Sequence, residues 1–152
     1  MTNSTKDFTY NGFGFPVRLL NVPFVEVRGE MVPNIDYKTV SSQLLINLAL
    51  KIDRLSGNEI RFIRQYHEMT LEKFAETFRV SHPSVLNWEK KGDGPTNMNW
   101  PTEKDIRLFS LSNFKTTSGW ELYKRLTEMK SKISTKYHPP KINVVQKELS
   151  FA

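Results

Sequence analysis

The sequence predicts a mainly α fold, in which three short helices follow one another behind a small β-hairpin and one further helix. Three features predict it. Ser56-Gly57-Asn58-Glu59 has the Ser-x-x-Glu form of a capping box, where the serine oxygen and the glutamate carboxylate each satisfy a backbone N–H orphaned at a helix start. Thr70 and Ser81 repeat the capping signal ahead of two more short stretches with apolar residues at helical spacing. Residues 15–35, FPVRLLNVPFVEVRGEMVPNI, are instead rich in Val, Phe and Leu around a glycine turn.

In the hairpin, Phe24, Glu26 and Arg28 alternate with Val25 and Val27, and Arg28-Gly29-Glu30 is the natural turn between two strands. Pro16, Pro23 and Pro33 each lack a ladder donor, which predicts short strands at a sheet edge. Asp36 is the candidate N-cap of a helix over Tyr37 to Ile52, with Val40, Leu44, Leu45, Leu48 and Ile52 at helical spacing. The capping box starts a helix from about Gly57 to His67 that buries Ile60, Phe62 and Ile63. Thr70 caps a helix reaching about Phe78, and Ser81 caps one from His82 to about Lys91, ended by Gly92 and Gly94-Pro95. After a polar loop, a helix starting near Thr102 buries Ile106, Leu111 and either Leu108 or Phe109. A last helix, Gly119 to about Ile133, carries Trp120, Tyr123, Leu126, Thr127 and Met129 in one stripe. His138-Pro139-Pro140 stops any helix, and the tail is expected to be extended or disordered. The chain thus divides into a hairpin and helix region (1–55), a three-helix domain (56–115), and a C-terminal helix with a basic tail (116–152).

A chain of 152 residues fits one ordinary domain or two small ones sharing a core, and 38% hydrophobic with 25% charged residues supports burial of that core. The absence of cysteine excludes disulfides, thiolate zinc sites and cysteine nucleophiles. The polar start, Met1 to Tyr10, lacks a signal-peptide core, and no apolar run approaches the roughly 18 residues that span a bilayer, so a soluble, cytoplasmic protein without membrane contact is expected. The net charge of +6 suits a polyanionic partner. Its distribution does not single out the three helices: residues 56–94 hold six positive and six negative charges, whereas residues 95–152 hold ten against five.

The segment MTLEKFAETFRVSHPSVLNWE, Met69 to Glu89, resembles the helix-turn-helix of the phage repressor and Cro-like (XRE) family, a lambda-repressor-like domain. The matching positions are Leu71, Phe74 and Ala75 in the first helix, Val80-Ser81 at the turn, and Val85, Trp88 and Glu89 in the second. The pattern has a physical logic of its own: Ala75 is small where two helices cross, Phe74 and Val85 close the core, and Trp88 covers its base. His82, Pro83, Ser84 and Asn87 are left on the face that such a helix offers to the major groove. The resemblance implies base reading by His82, Pro83 and Asn87, and phosphate contacts from Ser84 and the helix start. Asn can bond bidentately to adenine, His can donate to guanine acceptors, and Pro83 can offer only apolar contact with a thymine methyl or fix the helix start. Leu86 stands where the family often has a small polar residue. The candidate DNA-contacting residues are therefore Thr70, Lys73, Ser81, His82, Pro83, Ser84, Asn87, Lys90 and Lys91; the plainer reading of each is a solvated helix surface. Arg64 and Glu89 match a buried ion pair of this fold and are assigned a structural role.

The order of parts, with VPFVEVRGEMVPNID followed by a helix and then LSGNEIRFIRQYHEMTLEKFA, resembles the MqsA/YgiT-type (HigA-like) antitoxin regulators. Many of these carry a zinc-binding Cys-x-x-Cys region, which this chain lacks. The resemblance implies a homodimer on an inverted-repeat operator in double-stranded DNA, with a small protein toxin as second partner. A stand-alone regulator without a toxin has the same sequence features over 56–92, and a helix-turn-helix that binds protein is a third reading. Catalysis finds no support: His67, His82 and His138 are scattered, no glycine loop cradles phosphate, and Glu72 and Glu76 sit i, i+4 on a solvated helix face. No metal and no cofactor are expected.

Overall fold

Strand β2 (Val17–Val27) organises the sheet, pairing antiparallel with β1 (Thr5–Tyr10) and parallel with β4 (Lys141–Asn143) through the same residues Arg18 and Leu19, and antiparallel with β3 (Glu30–Pro33) further along. The computed structural model describes residues 4–112, 114, 119–129 and 136–145. Six helices accompany these strands among the described residues: α1 (Tyr37–Leu50), α2 (Gly57–Tyr66), α3 (Leu71–Thr77), α4 (His82–Glu89), α5 (Trp100–Leu111) and α6 (Gly119–Glu128).

The expectation of a mainly α, lambda-repressor-like fold is thereby corrected: this is a small α+β fold with a mixed four-stranded sheet. The two additional strands have little hydrophobic signature. β1 reads TKDFTY and β4 only KIN, so both depend on ladder bonds to β2 rather than on an alternating apolar face. The expectation of short edge strands holds for β3, four residues at the sheet edge, and is corrected for β2, which runs for eleven residues inside the sheet. Pro23 lies inside it at the changeover, where pairing with β1 ends and pairing with β3 begins at Phe24. A bulge lies just before it: the register shifts between Lys6 and Phe8, Asn21 takes a φ of 57°, and its N–H donates to Asp7 Oδ1 at 2.8 Å. The hairpin turn is Arg28-Gly29, both at positive φ as a two-residue turn of this twist demands, and Glu30 already belongs to β3.

Asp36 caps α1, accepting from the N–H groups of Lys38 and Thr39. The helix stops at Leu50, two residues short of the sequence expectation, and Ile52 is 57% exposed. Its end is set from a distance. The fully buried Arg107 of α5 donates to the carbonyls of Ala49, Lys51 and Asp53, taking the place of the next helical turn. Glu103, one turn earlier and equally buried, balances that charge at 2.6 Å and also binds Arg54 at 2.9 Å. Burial lowers the Arg107 pKa, with Glu103 opposing.

One apolar cluster runs through all three sequence segments. It joins Val17, Leu19 and Val22 of β2 and Ile142 of β4 to Leu44, Leu45 and Leu48 of α1, Ile60 and Ile63 of α2, Phe74, Val85 and Ile106. The tail is therefore tied into the fold through β4. α5 starts at Trp100 rather than near Thr102, with Asn99 Oδ1 accepting from the Thr102 N–H. In α6 the buried side chains are Leu122 and Leu126, whereas Trp120 (68% exposed) and Tyr123 stack on each other in solvent. The expected extension toward Ile133 lies outside the described residues. Among the described residues no helix is long and apolar enough to cross a membrane.

Candidate nucleic-acid interface

Helices α2, α3 and α4 are short, and each begins on a side-chain cap. Ser56 Oγ accepts from the Glu59 N–H at 3.2 Å while Glu59 Oε1 accepts from the Ser56 N–H at 2.9 Å. Thr70 Oγ1 accepts from the Lys73 N–H, and Ser81 Oγ from the Ser84 N–H. The two reversals between them share one solution. After α2, Glu68 enters the left-handed region at φ 55°, and Met69 and Glu68 donate back to the carbonyls of Arg64 and Gln65. After α3, Arg79 does the same at φ 56°, and Val80 and Arg79 donate to Ala75 and Glu76. These are Schellman closures with charged residues in the place that usually favours glycine.

The orientation of α4 is held at its C-terminal end. Glu89, almost fully buried, receives a two-point fork from Arg64, Nε to Oε2 at 2.7 Å and Nη2 to Oε1 at 2.9 Å, and a third bond from Arg61 Nε at 3.1 Å. Arg64 also donates to the Met69 carbonyl, so one guanidinium ties α2, the turn after it and α4 together. The hydrogen bonds it donates to Glu89 raise the Arg64 pKa. The first turn of α2 is pressed against the same end. A Cβ at Gly57 would collide with the Trp88 carbonyl and lie 3.1 Å from the Glu89 carbonyl, and the Asn58 N–H donates to the Gly92 carbonyl at 2.8 Å. Glu59 links this corner to the tail, since it binds Lys51 at 2.6 Å and accepts from the Tyr137 hydroxyl at 3.0 Å. Burial, then the neighbouring Glu59 charge, pushes the Tyr137 pKa far up, so it stays a donor.

This leaves one long edge of α4 facing outward. Pro83, Leu86, Asn87 and Lys90 recur at i, i+3, i+4 and i+7 and are all exposed, opposite the buried Val85 and Glu89. His82 and Lys91 are exposed at either end, and Ser81 joins Ser84 through their hydroxyls at 2.7 Å. Thr70 and Lys73 are exposed on the first turn of α3. The only carboxylate of α4, Glu89, points inward and is neutralised by two arginines, so the outward edge carries positive charge and no negative charge. The acidic pair Glu72 and Glu76 is exposed on α3. The close approach at Gly57, the contribution of Arg61 and the Glu59–Tyr137 link were missed in the sequence; a glycine at a helix start, where Ala is a better helix former, was the one available signal.

Compared with protein-family models, with curated proteins and with solved structures, the chain matches none.

Proposed function

We propose that this chain is a sequence-specific transcriptional repressor that binds double-stranded DNA as a homodimer, and that it is the antitoxin of a type II toxin–antitoxin pair, repressing its own operon in the cytoplasm. The observation that carries the DNA reading is the outward edge of α4. A helix braced at one end and free of exposed negative charge presents His82, Pro83, Leu86, Asn87 and Lys90 on its exposed edge. The major groove, about 12 Å wide, admits such a helix, and the exposed cations Lys73, Lys90 and Lys91 suit the flanking phosphates. One short helix reads only a few base pairs, so two copies about 34 Å apart on an inverted repeat give a useful operator length. The function needs no cofactor and no catalytic group.

The antitoxin role rests on the sequence resemblance and on the hairpin arm, where Val25, Val27 and Met31 are about half exposed on strands that continue past the core. That arm is the surface assigned to the toxin. The test is co-expression of the chain with its flanking genes and native mass spectrometry of the purified assembly. A stoichiometric small protein partner supports the antitoxin role. A partner-free homodimer that binds its upstream DNA supports a stand-alone regulator instead.

A further inference from the structure

Leu86 is 37% exposed in the middle of the α4 edge, beside Pro83 one turn back and between His82 and Lys90. It takes no part in the core that holds the helix, which uses Val85 with Phe74 and Ile63. The two apolar side chains form a short strip flanked by hydrogen-bonding groups on both sides, His82 and Asn87. A leucine can neither donate nor accept a hydrogen bond. In the major groove the one apolar group that a base pair presents is the C5-methyl of a pyrimidine, and all other edges there are donors or acceptors that a leucine would desolvate without replacement.

We propose that Leu86, backed by Pro83, is a specificity-determining residue that packs on the 5-methyl group of a pyrimidine, supplied in ordinary DNA by thymine. This rests on the reading of α4 as a major-groove helix and deepens it: each half-site carries a thymine next to the base read by Asn87. Covering one methyl group is worth about a four-fold difference in affinity per half-site, and about sixteen-fold when both halves of a symmetric operator lose it.

The test uses duplexes that the purified full-length chain selects from a randomised pool, with deoxyuridine replacing thymidine one position at a time. The replacement removes the methyl and leaves every hydrogen-bonding group in place. The expected result is one position per half-site where deoxyuridine weakens binding about four-fold to the wild-type chain and not to Leu86→Ala or Leu86→Ser, each measured well below its own melting temperature. Tighter binding of wild type alone to duplexes carrying 5-methylcytosine, with no deoxyuridine penalty, assigns the same contact to methylated cytosine. A deoxyuridine penalty that persists undiminished in both variants, or no methyl dependence of either kind on a selected duplex, overturns the role of Leu86 while leaving DNA reading intact. Failure to select any duplex removes the DNA reading itself.

Discussion

Arg64 and Glu89 meet in a two-point fork that joins the last turn of α2 to the last residue of α4, and the same guanidinium reaches the Met69 carbonyl at 3.0 Å. The position of the outward helix is thus set by a charge pair that is itself turned away from solvent. Removing one partner leaves a buried carboxylate short of donors, with Arg61 as its remaining cation. Arg64→Met is expected to destabilise the chain by about 3 kcal/mol, read from urea unfolding. An unchanged melting temperature combined with weakened DNA binding would show instead that Arg64 contacts DNA directly.

Gly57 is required by close approach rather than by its backbone angle. Its missing Cβ lets the α2 start rest on the carbonyls of Trp88 and Glu89. Gly57→Ala, ordinarily a favourable change in a helix, is expected to cost roughly 3 kcal/mol because backbone must move. Equal or higher stability of that variant would contradict the packing of α2 against α4.

The left-handed residue after α2 gives the opposite sign. Glu68 sits at φ 55° with no side-chain partner needed for the turn, so glycine relieves a steric cost larger than the chain entropy it adds. Glu68→Gly is expected to stabilise by about 0.5–1 kcal/mol, and Glu68→Val to destabilise, in the same unfolding assay.

Signals that lie within a few residues of their effect were legible. Ser56 with Glu59, Thr70, Ser81 and Asp36 all cap the helices that follow them, because a capping oxygen reaches only the next turn. The pattern of exposed and buried residues along α4 was legible for the same reason. Features that depend on distant partners were not. The end of α1 is fixed by Arg107, far along the chain, and β1 and β4 exist because β2 has two free edges for them. On α6 the helical stripe was legible, but not which side of it packs: Leu122 and Leu126 face the core while Trp120 and Tyr123 are exposed.

His67 closes α2 with its ring 4.7 Å from Phe109 and 5.3 Å from Tyr66, and its Nε2 finds no hydrogen-bond partner among the described residues. Burial lowers its pKa from the ordinary 6.5. The folded chain therefore resists a proton that the unfolded chain takes up, and stability falls as pH drops through 6.5 toward the lower folded value. Urea midpoints at about pH 7.5 and about pH 5.8 should show this loss in wild type and a smaller one in His67→Phe. An equal loss in both would place the titration elsewhere.

The most direct test of the account is a titration of full-length chain onto its selected duplex and onto a scrambled duplex, for wild type and Asn87→Ala, at about 50 and about 200 mM salt. The expected result is preference for the selected duplex, an affinity loss on the order of 100-fold across that salt range if about four phosphates are neutralised, and a loss of about 1–3 kcal/mol in Asn87→Ala confined to the selected sequence. Equal, salt-insensitive binding to both duplexes, or none to either, would contradict the claim that the outward edge of α4 reads DNA.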